Sequence, residues 1–247
     1  MNQIQLDRGV SSILLDIEGT TTPLDLVHEV LFPFARLHLR RFLSEHRSSP
    51  NVVVDIAKLH EEWLADVCQG LAAPPSQTKG LDVESLVEYI ERLMDDDRKS
   101  TPLKSLQGKI WEEGYRCGQL KGQVFRDVPP ALQRWRTANK NVAIFSSGSV
   151  QAQQLLFANT AAGDLRKYIS HYFDTTTGSK LDERSYAEIA NVLRWTPAEI
   201  VFISDVAREL DAARSVGFAT LLSIRPGNRP QQEGTHVVIR SLDEVFP

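Results

Sequence analysis

Residues 12–22 read SILLDIEGTTT, an apolar run that ends in two carboxylates, Asp16 and Glu18, one residue apart. Ile13, Leu14 and Leu15 show no helical periodicity, the pattern of a short strand buried on both faces of a parallel sheet. Asp16 then stands at the carboxyl end of that strand. In extended backbone residues i and i+2 point to the same side, so Asp16 and Glu18 can both reach one space beyond the strand tip. Two like charges there call for a cation. Gly19 permits a tight turn, and Thr20, Thr21 and Thr22 offer hydroxyls and backbone N–H groups of the kind that hold phosphate oxygens. A buried strand followed by a polar turn without chemistry is the plainer reading of the same residues.

A chain of 247 residues can bury one substantial core or a core with a smaller second unit, and the pattern below favours the second. With 42% hydrophobic and 24% charged residues the composition is that of an ordinary soluble globular protein, and no stretch approaches a membrane span. The start, MNQIQLDRG, lacks a basic segment, an apolar segment and the Arg- and Ser-rich character of a transit peptide, so a cytoplasmic protein is expected. Cys68 and Cys117 belong to no CxxC or Cys/His cluster and read as plain thiols. A net charge of −4 gives no general attraction to nucleic acid or anionic membrane, which leaves a small molecule as the expected partner; a monomer is the expected state.

After the opening motif, residues 23–45 carry Val27, Val30, Leu31, Phe34 and Leu37, then Phe42 and Leu43, near a 3.6-residue period. This predicts a helix, with Pro33 kinking or dividing it. Residues 48–51 read as a turn and 52–70 as a second helix with Trp63, Leu64 and Val67 on its apolar side. A loop is expected at 71–80 and a third helix at 82–94, closing on the solvated acids Asp95, Asp96 and Asp97. Residues 104–121 form a fourth, glycine-weakened helix carrying Ile110, Trp111 and Tyr115. The stretch 23–123 is thus an all-helical insertion between 1–22 and 124–247.

From Asp127 the pattern alternates. Helices are expected at 128–138, 150–157 and 184–193, and strands at 142–145, 168–173, 200–203 and 219–224. Strands alternating with helices of this length predict an α/β fold, a Rossmann-like parallel sheet covered on both faces. In such a sheet ligands bind beyond the carboxyl ends of the strands. Asp16 and Glu18 follow the first strand, Ser146 and Ser147 the second and Asp205 the fourth, while Lys180 precedes a helix. Each has a plain explanation by itself: Ser146 as a turn residue, Lys180 as a solvated surface cation, Asp205 as a helix cap.

Taken together, the acid-x-acid, serine, lysine and acid motifs resemble the haloacid dehalogenase superfamily of aspartate-nucleophile phosphohydrolases, over residues 12–22 and 124–224. The phrases DIEGTTTP (16–23), GKIWEEGYRCGQLKG (108–122), FSSGS (145–149), TTTGSK (175–180) and FISDVARE (202–209) are similar to those of the enolase-phosphatases of methionine salvage.

That resemblance implies Asp16 as nucleophile on phosphorus and Glu18 as the group that protonates the leaving oxygen and then activates water. It implies Ser146, Ser147 and Lys180 on the phosphate, and Mg²⁺ at Asp16, residue 18 and Asp205, with residue 18 contributing its backbone carbonyl. The helical insertion corresponds to the superfamily's cap. The implied substrate is 2,3-diketo-5-methylthiopentyl-1-phosphate, enolised and then dephosphorylated. Glu209 either positions Lys180 or lies on a helix surface, and Trp111 and Tyr115 either enclose the methylthio tail or pack the cap. A phosphomonoesterase of the same fold acting on another metabolite, and a catalytically idle binding module, are the alternatives. A dehalogenase would leave Glu18 without a purpose.

Overall fold

The computed structural model describes residues 9–72, 82–231 and 236–246. Strand β1 (Ser12–Leu15) leads to four helices, α1 (Phe32–His46), α2 (Pro50–Cys68), α3 (Val83–Asp95) and α4 (Thr101–Arg116). The chain then alternates through α5 (Val128–Thr137), β2 (Asn141–Phe145), α6 (Val150–Ala158), β3 (His171–Phe173), α7 (Glu183–Leu193), β4 (Ile200–Ser204), α8 (Ala207–Ser215), β5 (Ala219–Ser223) and β6 (Val237–Ile239). It divides into two compact units, Met1–Val27 with Lys121–Pro247, and His28–Leu120. No described helix is long and apolar enough to cross a membrane.

The first unit is built on a parallel sheet of order β3-β2-β1-β4-β5-β6 among the described residues. Central β1 places Leu15 opposite Ile144 of β2 and Ile203 of β4, so three strands end side by side. Ile13, Leu14 and Leu15 are fully buried, each contributing about 1.5–3 kcal/mol. Tyr186 of α7 is also fully buried, its ring 5.7 Å from Phe145, 5.3 Å from Phe202 and 5.8 Å from Phe218. This aromatic group packs one face of the sheet near the carboxyl ends of β2 and β4. Strand β6 was not expected, being only three residues long. Of the strand expected over 168–173, only His171–Phe173 is extended, because Arg166–Tyr168 winds as a 3-10 turn.

The helical unit departs from its sequence pattern at two faces. A π-helical stretch, Leu26–Leu31, precedes α1, and Pro33 lies in the first turn of the α-helix, where a missing N–H does no harm. The wider π turn resets the phase. Ala35, Leu39, Phe42 and Leu43 are buried while Leu37, expected on the apolar side, is 77% exposed. Helix α2 starts at Pro50, inside the expected turn, and buries Trp63 but not Leu64. Its inner side includes two acids. Asp55 lies 2.5 Å from Lys109 Nζ, and Asp66 accepts from Tyr89 Oη at 3.0 Å and Arg98 Nη2 at 2.8 Å.

Helix α4 begins earlier than its apolar pattern suggests, because the Ser100 hydroxyl accepts from Leu103 N–H and caps it. Gly114 of α4 faces α1 so closely that a Cβ would stand 2.6 Å from the Phe34 ring. Trp111 is buried within this unit, its indole N–H donating to the Leu31 carbonyl at 2.8 Å and its ring stacking on Phe32. It packs the helices. Asp95 and Asp97 are exposed and pair with Arg36 and Lys99. Cys68 and Cys117 are exposed free thiols. The opening segment and most of the loop expected at 71–80 lie outside the described residues.

Candidate active site

Asp16 follows β1 directly, and its N–H donates to Ile203 O at 3.0 Å, carrying the β1–β4 ladder one residue past the strand. The carboxylate is buried. Lys180 Nζ lies 2.5 Å from Asp16 Oδ1 and 2.7 Å from Glu209 Oε2. Lys180 is held from behind: Tyr186 Oη donates to the Lys180 carbonyl and Ser185 Oγ to the Ser179 carbonyl, both at 2.7 Å. Its ammonium also stands about 6 Å from the faces of Phe145 and Phe202. It is therefore no surface lysine. Burial pulls its pKa down, but the facing carboxylates of Asp16 and Glu209 outweigh burial and hold it above the ordinary lysine range.

Asp205 follows β4 directly, as Asp16 follows β1, because Ser204 is still extended. Its carboxyl is pushed up to about 7, first by burial and then by the charges of Asp16 and Glu209. Glu209, on the first turn of α8, is also raised by burial, against the pull of Lys180, and accepts from Ser204 Oγ at 3.0 Å. It faces inward and positions the lysine, not a helix surface. Two buried acids and the partly buried Glu209 thus stand around one lysine, which pairs with Asp16 and Glu209, an arrangement short of positive charge.

The turn after Asp16 is bound inward. The N–H groups of Thr20, Thr21 and Thr22 all point to the Ile17 carbonyl, and the hydroxyls of Thr21 and Thr22 donate to it as well, at 3.2 Å each. All three threonines are fully buried. Against the expectation that they hold phosphate, the three N–H groups and the hydroxyls of Thr21 and Thr22 are consumed in closing the turn, while the Thr20 hydroxyl is buried without a partner. Gly19 has φ +69°, and a Cβ there would stand 2.5 Å from Asp205 Oδ2. Only glycine lets the turn and Asp205 approach this closely.

Ser146 follows β2. Its N–H donates to Phe173 O, and its Oγ accepts from Gly148 N–H at 3.2 Å, which leaves the hydroxyl proton to be donated elsewhere. Ser147 is exposed beside it. The turn is braced by Gln153, whose amide donates to Gly148 O and Phe173 O, and by Asp174, which accepts from Val150 N–H. Glu18 lies in the turn, half buried, its backbone bridged to Thr22. Among the described residues its carboxylate does not join those of Asp16 and Asp205 within 4.8 Å. The cluster that does meet that distance among the described residues is Glu45, His46 and Glu113 in the helical unit. There Arg41 already neutralises Glu113 at 2.7 Å. Sequence reading passed over Tyr186, Arg225, Asp127 and Asn228, none of which belongs to a chemical motif. The Arg-Pro-Gly-Asn run after β5 was their one visible sign.

A family profile of haloacid dehalogenase-like hydrolases matches residues 10–217. Enolase-phosphatase E1 of Synechococcus elongatus is 51% identical, over 96% of this chain and 98% of its own length. Enolase-phosphatase E1 of Drosophila yakuba is 43% identical, over 90% of this chain and 86% of its own. Among solved structures, the UTR4 protein of Saccharomyces cerevisiae is similar with a TM-score of 0.78 and 34% identity, covering 94% of this chain and 98% of that one. L-2-haloacid dehalogenase from Xanthobacter autotrophicus, 19% identical with a TM-score of 0.51 over 96% of this chain and 97% of its own, shares the fold.

Proposed function

The chain belongs to the haloacid dehalogenase-like hydrolases and, within them, to the enolase-phosphatase E1 family, and from that premise we propose that it converts 2,3-diketo-5-methylthiopentyl-1-phosphate into the acireductone 1,2-dihydroxy-3-keto-5-methylthiopentene and phosphate. The observation that carries the chemistry is Lys180 bridging Asp16 and Glu209 beside a buried Asp205.

Lys180 takes Asp16 Oδ1 and leaves Oδ2 to attack phosphorus. The new Asp–O–P bond forms as the bond from phosphorus to the substrate oxygen breaks, and Glu18 gives that oxygen its proton. Glu18 then takes a proton from the water that attacks the aspartyl-phosphate, and cleavage of the Asp–O–P bond releases phosphate and restores Asp16. Ser146 Oγ–H and the Ser147 N–H hold phosphate oxygens, the first being free to donate because Gly148 occupies the hydroxyl's lone pair. Lys180 offsets charge shared by Asp16 and the phosphate.

The oxygen-only donor set and the surplus of buried acid suit a small hard dication. Asp16, the residue-18 carbonyl and Asp205 would hold Mg²⁺, which when bound supplies the missing charge and a Lewis acid for the carbonyl during enolisation. The proposal includes a cytoplasmic monomer; light scattering at a mass of 27.7 kDa supports the monomer and twice that overturns it.

The test is incubation with the diketo phosphate and Mg²⁺, following enediol absorbance and free phosphate together. Both signals in sequence support the reading. Phosphate from many esters without enediol would make this a general phosphomonoesterase, and no phosphate from any ester would make it an idle module.

A further inference from the structure

The turn that carries Glu18 is gripped from outside at three consecutive carbonyls. Asn228 Nδ2 donates to Gly19 O at 2.9 Å, Arg225 Nε to Thr20 O at 3.3 Å, and Phe125 N–H to Thr21 O at 3.0 Å. Inside the turn, the N–H groups of the next residues are all spent on Ile17 O. Both the inner and outer polar groups of the three peptide planes between Gly19 and Thr22 are therefore committed.

Arg225 and Asn228 belong to the loop after β5 and are themselves fixed. The Arg225 guanidinium is buried, donates to Asp127 Oδ2 at 2.7 Å and to Arg240 O at 3.0 Å, and lies 4.7 Å from the Phe125 ring. Asp127 also accepts from Leu242 N–H and Ser241 Oγ, which ties the grip to the C-terminal segment. Asn228 Nδ2 reaches Ser223 O as well, at 3.2 Å. A planar guanidinium can serve a carboxylate and a carbonyl at once, which a lysine in its place could not.

We propose that Arg225 and Asn228 are positioning residues for proton transfer by Glu18: they fix the backbone from which that side chain springs, and hence its reach to the leaving oxygen. This rests on the phosphoryl-transfer reading above, in which Glu18 is the proton donor. Glutamate has one more rotatable bond than aspartate, so a loose backbone would scatter its carboxyl further.

Removing Arg225 alone would strand the Asp127 charge in the interior, so the grip is loosened two ways, by Asn228→Ala and by the paired change Arg225→Leu with Asp127→Asn. Each Mg²⁺-saturated enzyme is given 4-nitrophenyl phosphate, whose leaving group departs without a proton, and butyl phosphate, whose leaving group needs one. The quantity compared is kcat/KM, which covers steps only through departure of the leaving group. The expected result is a fall of about thirtyfold or more on butyl phosphate against less than about threefold on the aryl ester. Equal falls on both esters, as from a smaller folded fraction, overturn the proposal. Amide hydrogen exchange at Gly19–Thr22 supplies a reading without turnover: faster exchange there, with the sheet unchanged, supports the grip, and unchanged exchange in both variants overturns it. A wild-type enzyme that releases phosphate neither from these esters nor from the diketo phosphate would defeat the phosphoryl-transfer reading, while exchange would still decide whether these residues hold the turn.

Discussion

Asp16, Asp205 and Glu209 crowd one lysine in a buried space, and the strain of that imbalance falls on Asp205, whose carboxyl is pushed up from 3.8 to about 7. Between those values the folded protein binds a proton that the unfolded chain has lost. The contribution to stability is therefore full below about pH 4 and disappears as the pH rises through about 7, on the order of 2–4 kcal/mol in all. With divalent cations chelated, the melting temperature of the wild type should fall relative to that of Asp205→Asn between pH 5 and 7.5. The variant should melt about 5 °C higher at the upper end, yet lose most Mg²⁺-dependent phosphate release. His236, whose pKa burial lowers, acts with the opposite sign but equally in both proteins, so the difference reports Asp205 together with its coupling to Glu209. Parallel melting curves would mean that this carboxyl carries no such burden. Asp16→Asn at raised Mg²⁺ should stop phosphate release while enol phosphate accumulates in the ultraviolet; phosphate at a near wild-type rate would rule out Asp16 as nucleophile. Asp16 and Asp205 were visible in the sequence as acids that follow apolar strands, whereas Lys180, which precedes a helix, was singled out by the resemblance. Thr21 and Thr22 misled, because composition reports donors and not which of them the backbone has already taken.

Elements were legible where their residues obey one period and obscure where packing breaks it. Helix α3 has an even apolar face and Asp82 accepting from Ser85 N–H at its start, and its limits were found to within a residue or so. Helix α1 was mis-phased because a π turn is invisible in hydrophobicity, and α2 because its inner side holds Asp55 and Asp66, whose partners Lys109, Tyr89 and Arg98 come from other helices. Glycines that looked like weaknesses in α4 include one required by contact. Gly114→Ala should destabilise the protein by about 1–3 kcal/mol, measured by chemical unfolding, and Phe34→Leu should recover part of that loss; additive losses would show that the two do not meet. Trp111→Ala, which removes a buried indole and its bond to Leu31, should cost about 3–5 kcal/mol and reduce turnover of the diketo phosphate and of a small aryl ester alike. A loss confined to the diketo phosphate would instead make Trp111 a substrate contact.

At the scale of the molecule, the order β3-β2-β1-β4-β5-β6 gathers strand ends from distant parts of the sequence, so Asp16 and Lys180, 164 residues apart, meet without any local signal announcing it. The helical stretch between β1 and α5 contributes nothing to that order. Where it departs and returns, Thr21 and Phe125 are joined by a backbone hydrogen bond of 3.0 Å. Helix α5 alone can then complete the right-handed crossover from β1 to β2. Replacing His28–Leu120 by a short glycine–serine linker should leave a cooperatively melting protein that still cleaves 4-nitrophenyl phosphate with Mg²⁺, and a non-cooperative melt would show that the sheet depends on the stretch removed. The closed seam at Thr21 and Phe125 makes the insertion exchangeable in heredity: a lineage can swap what it carries between those two residues while the apparatus for moving a phosphoryl group passes down untouched.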